Sequence, residues 1–533
     1  MENATLGRRY PIGIQTFERL RKENYLYIDK TDLVWKMTKE SPYVFLIRPR
    51  RFGKSLLSTT LESYFQGRKD LFEGLKIMEL EQEWETYPVI HLDLSEAKNQ
   101  QTVEDLRSAL LLMMKPVAAK YGRDEDEKLP GSLLKGLIRR AYEQTGKQVA
   151  VIVDEYDAPL LDVLHDERLK EFRIVLQEFF QTLKASEAMI KFCFITGITK
   201  FSQLSIFSTI NNLLDISMQP EYAAICGFTE TEFATDMAPD IAILAQKYGC
   251  TAEEMHTKLK QQYDGYRFSE ESPDIYNPFS LLKCFTQKKI DNYWFDSGTP
   301  TFLIRQMQHF RTDITNMDDM EVPSTAFDRP TEAMTTALPL LYQSGYLTIK
   351  DYDHDSQAYT LGIPNQEVRI GFVDGLLPTY IGLDGADVQM GFALKFWRAL
   401  RAADLDLALR EMQTYLAGLP YIEGFKKKLE DISNAEGFYE WSFYLIFNML
   451  NVYAKTQVKC AGGRIDMVVY MPDTVYVFEL KVNGTAEEAL KQIDAKGYAI
   501  AYQTDGRKVM KAGVSFSTES KTIKDWIIAE CRD

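Results

Sequence analysis

The sequence predicts an α/β protein of several domains: an N-terminal parallel sheet with helices on both faces, a helical middle with a winged-helix-like hairpin, and a C-terminal α/β module. Three stretches carry this expectation. Residues 41–65, SPYVFLIRPRRFGKSLLSTTLESYF, run from an apolar strand pattern through a Gly-Lys-Ser turn into an amphipathic helical pattern. Residues 147–160, KQVAVIVDEYDAPL, form a continuous β-branched run that ends in Asp154 and Glu155, as a strand buried on both faces does. Near the C-terminus GGRIDMVVYMPD and TVYVFELKV read as a hairpin, and TAEEALKQIDAKGY follows as a helix.

At 533 residues the chain is too long for one core, so several domains are expected. The expected boundaries are 1–290, 291–425 and 426–533, with an irregular break at 315–330 rich in turn formers. The formal charge of −15 argues against a protein that coats nucleic acid nonspecifically, though a local patch with metal ions stays open. The six cysteines include no Cys-x-x-Cys pair, which fits a reducing cytoplasm and no zinc site. No apolar run reaches the roughly 18 residues that cross a bilayer, so no membrane partner is expected. The acidic stretch GRDEDEKLPG, 122–131, reads as a solvated loop.

The first element, 43–47, delivers the chain to RPRRFGKS. A phosphate cradle needs Gly-x4-Gly-Lys-Ser/Thr between a strand and a helix, because backbone N–H groups at the helix start wrap the phosphates and the lysine adds a cation. Gly53, Lys54 and Ser55 are in register, whereas Arg48 stands at the first glycine. Arg50 and Arg51 either clamp phosphate, the role assigned to Arg51, or face outward. The 147–160 strand supplies the partner motif: Asp154 is suited to hold Mg2+ beside the Ser55 hydroxyl, and Glu155 to orient an attacking water. Further strands are expected at 87–95 and 191–199, the second ending near Thr196, a candidate sensor of the terminal phosphate.

RPRRFGKSLL, VDEYDAPL, FITGITKFSQLSIFSTINNLLDIS, CGFTETEF, YDGYRF and YNPFSLL together resemble the bacterial AAA-ATPase-like proteins, a branch of the P-loop ATPases, over about residues 5–300. That resemblance implies the ASCE-type sheet, in which another strand separates the cradle strand from the catalytic-Glu strand. It also implies ATP as the ligand of Gly53, Lys54, Ser55, Asp154 and Glu155, and arginine at position 48 is usual in the family. Arg267 in YDGYRF is a candidate arginine finger, and a homo-oligomer is a possible assembly.

In the middle, 338–368 reads as a short helix and two strands, 346–349 and 358–363, joined by an Asp-rich turn at 351–356. This is winged-helix-like, but an acidic turn suits a lid or an oligomer contact better than DNA phosphates. Residues 388–416 show helical apolar spacing.

In the C-terminal hairpin Glu479 and Lys481 leave the same face of their strand, and pairing brings Asp466 beside them. Two carboxylates and a lysine at one sheet edge suit metal-assisted phosphodiester hydrolysis. Asp466, Glu479 and a carbonyl such as that of Leu480 can hold Mg2+ (or Mn2+), and Lys481 can position or deprotonate a water. Asp-x12-Glu-x-Lys, with GRIDMVV, VYVFELKVNGTAEEALKQIDAKGYA and AGVSFS, resembles the PD-(D/E)XK nuclease superfamily over about 430–530, implying a restriction-endonuclease-like fold. By the same resemblance Gln492 is a site residue. Tyr498 departs from the Gln-x3-Tyr spacing of one branch, Glu436 matches an acidic first-helix residue, and Gln457 stands where relatives often have Glu.

The reading that follows is an ATPase whose P-loop domain gates or positions a Mg2+-dependent nuclease, acting on DNA with RNA not excluded, in defence or mobile-element biology. The alternative is a nucleotide-dependent switch with an inactive nuclease-like domain that binds partners or nucleic acid.

Overall fold

The computed structural model describes residues 9–200 except 162 and 165, 213–294, 303, 306–307, 309–310, 320–327, 334–371, 395–396, 398–400, 402–417, 453–460, 462–471, 473–503, 506–520 and 522–531. The chain forms two compact units, Met1–Thr312 with Asp319–Glu367, and Asp313–Asp318 with Val368–Asp533.

The first unit is built on five parallel strands, β1 (Tyr43–Ile47), β2 (Val89–Asp93), β3 (Val149–Asp154), β4 (Ile190–Gly197) and β5 (Leu214–Asp215), in the order β2-β3-β4-β1-β5. The cradle strand β1 therefore pairs with β4, which separates it from the acidic strand β3. Every residue of β1 and β3 is buried, which is why both read as unbroken apolar runs. Strand β2 is shorter than 87–95: it begins after Pro88, which has no N–H to give. It ends at Asp93, whose carboxylate accepts the Ser95 N–H at 2.9 Å. Helices Val103–Met113, Pro130–Thr145 and Arg168–Ala185 pack into one core with these strands through Leu106, Leu137 and Phe179. The acidic stretch at 122–131 is not wholly solvated. Glu127 is buried against Arg140 through hydrogen bonds of 2.7 and 2.8 Å, over Gly136, where a Cβ would lie 1.5 Å from the carboxylate.

Beyond β5 come the short strands β6 (Phe228–Thr229) and β7 (Ile275–Tyr276), paired antiparallel, and helices Glu230–Asp236, Ala238–Tyr248, Ala252–Tyr263 and Pro278–Gln287. They share a second core around Phe233, Leu244, Met255 and Leu281, on which Ile12, Leu26 and Ile28 pack. Thr229 and Thr251 close capping boxes with Glu232 and Glu254.

Within the expected break at 315–330, residues 320–327 are regular structure. They form β8 (Met320–Pro323) and a helical turn, Ser324–Phe327. Backbone pairing with β10 (Ala358–Gly362) and burial of Val322 hold β8 in place. The hairpin partner β9 (Thr348–Asp353) runs further into the acidic stretch than expected, giving the order β8-β10-β9. Asp351 and Asp353 are exposed, so extension desolvates neither charge, and Asp353 closes the turn by accepting the Asp355 N–H at 2.8 Å.

The second unit contains β11 (Tyr453–Cys460), β12 (Gly463–Tyr470), β13 (Thr474–Val482), β14 (Lys508–Ser517) and β15 (Thr522–Glu530), adjacent in chain order. Only β13 and β14 are parallel, joined by the helix Ala486–Lys496. The helix Leu405–Ala417 buries Leu405, Leu409 and Met412 in a core with Phe478 and Phe516. All six cysteines are free, and among the described residues no helix is long and apolar enough to cross a membrane.

One buried acid makes the first unit sensitive to pH. Asp264 is 3% exposed, its Oδ1 has no hydrogen-bond partner, and the Lys260 ammonium is 3.9 Å away. Burial pushes its carboxyl up to about 7. The folded value lies above the unfolded one, so the unfolded chain releases this proton first, and the contribution of Asp264 to stability is lost as pH rises from about 4 to about 7, with a ceiling of about 4 kcal/mol. Urea midpoints of the full chain at pH 5 and pH 7.5 should differ less in Asp264→Asn than in the parent; an equal difference refutes the assignment.

Candidate nucleotide site and candidate nuclease site

The chain leaves β1 at Ile47, turns through 48–53 and starts the helix Lys54–Phe65. Gly53 adopts φ +97°, a backbone state rather than a crowded space, since a Cβ there would touch nothing within 4 Å. Arg51 also has a positive φ, +68°. The Lys54 ammonium is buried and curls back to the Arg48 and Pro49 carbonyls at 3.1 and 3.2 Å. Ser55, in the first helical turn, is half-buried.

At the end of β3, Asp154 is 2% exposed and accepts the Glu155 N–H at 2.9 Å. Glu155 has φ +49°. Burial raises its proton affinity, and the positive charge of Lys54 opposes that rise. Arg51, Gly53, Lys54, Ser55 and Glu155 all line one cavity of about 520 Å³, together with Arg50. Its other walls are largely apolar and include Ile12, Ile14, Leu26, Ile28, Phe228 and Leu282. A pocket of this size lies within the usual range of small-molecule sites.

Asp154, Thr196 and Arg267 are not among the residues that line this cavity. Thr196 is fully buried and donates its hydroxyl to the Leu46 carbonyl at 2.7 Å, joining β4 to β1. Arg51 lies with its guanidinium carbon 3.8 Å from the Phe279 ring centre. Arg267 is tied to Asp274 at 3.2 Å and to the Lys350 carbonyl at 3.2 Å. Sequence reasoning passed over Asp157. It is fully buried and accepts the N–H groups of Ile198 and Thr199 at 3.1 and 2.7 Å and the Thr199 hydroxyl at 2.6 Å. It thereby pins the exit of β4 to the exit of β3. A third acid in VDEYDAPL was visible, but no spacing rule distinguishes it from a surface charge.

In the second unit the ladder between β12 and β13 runs to Met467↔Phe478. One step further, Asp466 replaces a backbone partner: its Oδ2 accepts the Leu480 N–H at 2.8 Å. Glu479 is 1% exposed, and Lys481 donates to its Oε1 at 3.2 Å. Gln492, from the helix Ala486–Lys496, donates to the same oxygen. Glu479 Oε2 is buried with no hydrogen-bond partner. Burial, and then the neighbouring Asp466 charge, push the Glu479 carboxyl up to about 7. The structure thus brings Asp466, Glu479, Lys481 and Gln492 together.

Gln457 lies between the pairs Thr456↔Met467 and Val458↔Ile465, abreast of Asp466, and accepts from Arg464 at 3.3 Å. Tyr498 is not on the helix with Gln492, because Gly497 ends that helix in the left-handed conformation; its ring packs with Ile465, Val477 and Ile493. Glu436 lies outside the described residues. Among the described residues no group of three or more His, Cys, Asp or Glu is placed to hold a metal. Asp466 and Glu479 are the carboxylates that the described residues bring to this sheet edge, and the orphaned Glu479 Oε2 fits a cation ligand.

Comparison with known proteins gives two family matches. Residues 11–207 match the family described as Predicted AAA-ATPase, and residues 434–526 match the PD-(D/E)XK nuclease superfamily. The chain is also 31% identical over 529 residues to the "Uncharacterized protein in vnfD 5'region" of Azotobacter chroococcum mcd 1, covering 98% of this chain and 99% of that protein.

A glycine sets the reach of Gln492. Gly513 on β14 pairs with Glu479, and a Cβ there would meet the Ala486 carbonyl at 2.3 Å and the Leu490 nitrogen at 2.6 Å. The bare backbone lets the helix lie close to the sheet. Gly513→Val should destabilise the second unit by about 1–3 kcal/mol or more through overpacking, read as a lowered thermal midpoint; an unchanged midpoint contradicts the close packing.

Proposed function

This chain belongs to the predicted AAA-ATPase family and carries a PD-(D/E)XK nuclease superfamily domain towards its C-terminus, and from that premise we propose an ATPase coupled to a metal-dependent nuclease. ATP is bound and hydrolysed at the Lys54 cradle. Phosphodiester bonds, in DNA by preference and in RNA as the second candidate, are cut at the edge formed by Asp466, Glu479 and Lys481. The nucleotide state gates or positions the nuclease, as a defence or mobile-element system requires.

The observation that carries this reading is the pairing of a buried carboxylate, Glu479, with an orphaned oxygen, beside Asp466 and within reach of an ammonium. Asp466 and Glu479 would hold Mg2+ or Mn2+. Such an ion, when bound, supplies a water of lowered pKa and charge for the phosphate oxygens. The Lys481 ammonium orients the attacking water and stabilises charge developing on the phosphate, and Gln492 fixes the Glu479 carboxylate through Oε1. At the cradle Gly53 and Lys54 hold phosphates, Ser55 and Asp154 would hold Mg2+, and Glu155 orients water. Its raised proton affinity suits a base. The apolar far wall of the cavity supports a nucleoside triphosphate rather than bare phosphate.

One observation favours the switch reading, in which the nuclease-like domain binds without cutting: Gln457, abreast of Asp466, is neutral.

The deciding experiment incubates the full chain with linear, circular and single-stranded DNA and with RNA, with Mg2+ or Mn2+, with and without ATP. Lys481→Ala should lower cleavage by about 100-fold or more and leave ATP hydrolysis intact. Absence of cleavage in the parent protein selects the switch. Separately, Lys54→Ala should abolish ATP binding, and Leu282→Glu should weaken ATP about 10-fold or more while sparing inorganic tripolyphosphate. An equal loss for both ligands would place the phosphates, not the base, against Leu282.

A further inference from the structure

Arg48 occupies the position that the general phosphate-loop pattern gives to glycine, and its side chain does not face the cavity. It is 1% exposed. Its guanidinium donates to the carbonyls of Ile47 at 2.9 Å, Ser217 at 2.7 Å and Tyr222 at 3.0 Å. Its guanidinium carbon lies 4.1 Å from the Phe268 ring centre. Among the described residues no carboxylate pairs with it, and its Nε has no hydrogen-bond partner. A buried cation met by carbonyl dipoles and a ring face but by no carboxylate is costly, so its presence calls for a structural return.

That return is visible in the loop. The carbonyls of Arg48 and Pro49 hold the Lys54 ammonium, so the position of Lys54 follows from where the loop begins. Other contacts brace the same loop. Phe52 packs edge-on against Tyr266 and Phe268, with ring centres 4.8 and 5.5 Å apart. Trp294 Nε1 donates to the Arg50 carbonyl at 3.4 Å. Pro49 lies so near Gly345 that a Cβ there would come within 2.8 Å. Ser217 adds a second tie, its hydroxyl accepting the Ile47 N–H at 3.0 Å.

We propose that Arg48 is a positioning residue: it bolts the phosphate loop to the turn after β5 and to the YDGYRF segment, and so sets Lys54 for its ligand. The proposal rests on the cradle reading above. Its consequence runs against the motif, because Arg48→Gly restores Gly-x4-Gly-Lys-Ser yet should weaken nucleotide binding.

The test uses the full chain and three variants, Arg48→Gly, Arg48→Met and Arg48→Lys, at a temperature where circular dichroism shows each folded. ATP affinity is measured by calorimetry. Arg48→Gly and Arg48→Met should bind ATP at least about 10-fold more weakly, and Arg48→Lys, which keeps donors for the carbonyls, should recover part of the loss. A second readout needs no nucleotide: the emission of Trp294, obtained by difference from Trp294→Phe in each background, should shift in Arg48→Gly and less in Arg48→Lys. Full ATP affinity in Arg48→Met would show that side-chain volume alone suffices and overturn the proposal. An unshifted Trp294 emission in Arg48→Gly would overturn it as well. Failure of the parent chain to bind ATP, or normal binding in Lys54→Ala, refutes the cradle instead, and the Trp294 emission then decides the bolt alone.

Discussion

Both units place charged side chains where strand pairing lapses, past the end of β3 in one and past the last β12 pair of β13 in the other, and the cost of desolvating those charges governs what surrounds them. At the end of β3, Asp154, Glu155 and Asp157 crowd within four residues. The backbone answers by giving Asp154 the Glu155 N–H and Asp157 the N–H groups of Ile198 and Thr199. On β13, just beyond its last pair with β12, the answer is different. Glu479 receives Lys481 and Gln492 on one oxygen and nothing on the other. Full satisfaction produces a brace, as at Asp157, whereas partial satisfaction leaves a carboxylate with proton affinity near neutrality and a free coordination position.

The phosphate loop shows the same constraint with the sign reversed. Lys54 and Arg48 are both buried cations beside β1, and both are met by main-chain carbonyls. Lys54 lines the cavity and can exchange its carbonyl partners for phosphate oxygens. Arg48 points the other way and cannot. On the proposed reading Lys54, which lines the cavity with Arg50 and Arg51, meets the ligand, while Arg48, outside that lining, holds the frame. Phe268, Trp294 and Gly345 brace the cradle from segments far along the chain.

Much of this was legible in the residues. Strand β1 and the core of β3 were readable because strands buried on both faces must be apolar throughout. The meeting of Asp466 with Glu479 and Lys481 followed from the two-residue period of a hairpin. Other features were hidden because their causes are distant in sequence. Strand β8 has little strand pattern of its own and exists through its pairing with β10. Glu127 looks solvated until Arg140 is placed beside it. Tyr498 continues a helical pattern that a single glycine, Gly497, brings to an end.

The sequence by itself determined the two α/β modules, the order of their motifs and the residue types at each strand end, because local periodicity and strand burial are written in neighbouring positions. Only the tertiary structure decided how each charge is used. Thr196 turns inward to the Leu46 carbonyl, Arg48 is buried against the carbonyls of Ser217 and Tyr222, and Gln492 reaches Glu479 from a helix that Gly513 lets lie close. Those outcomes depend on partners between 13 and 174 residues away, where hydrogen-bond geometry and packing act and local pattern carries no information.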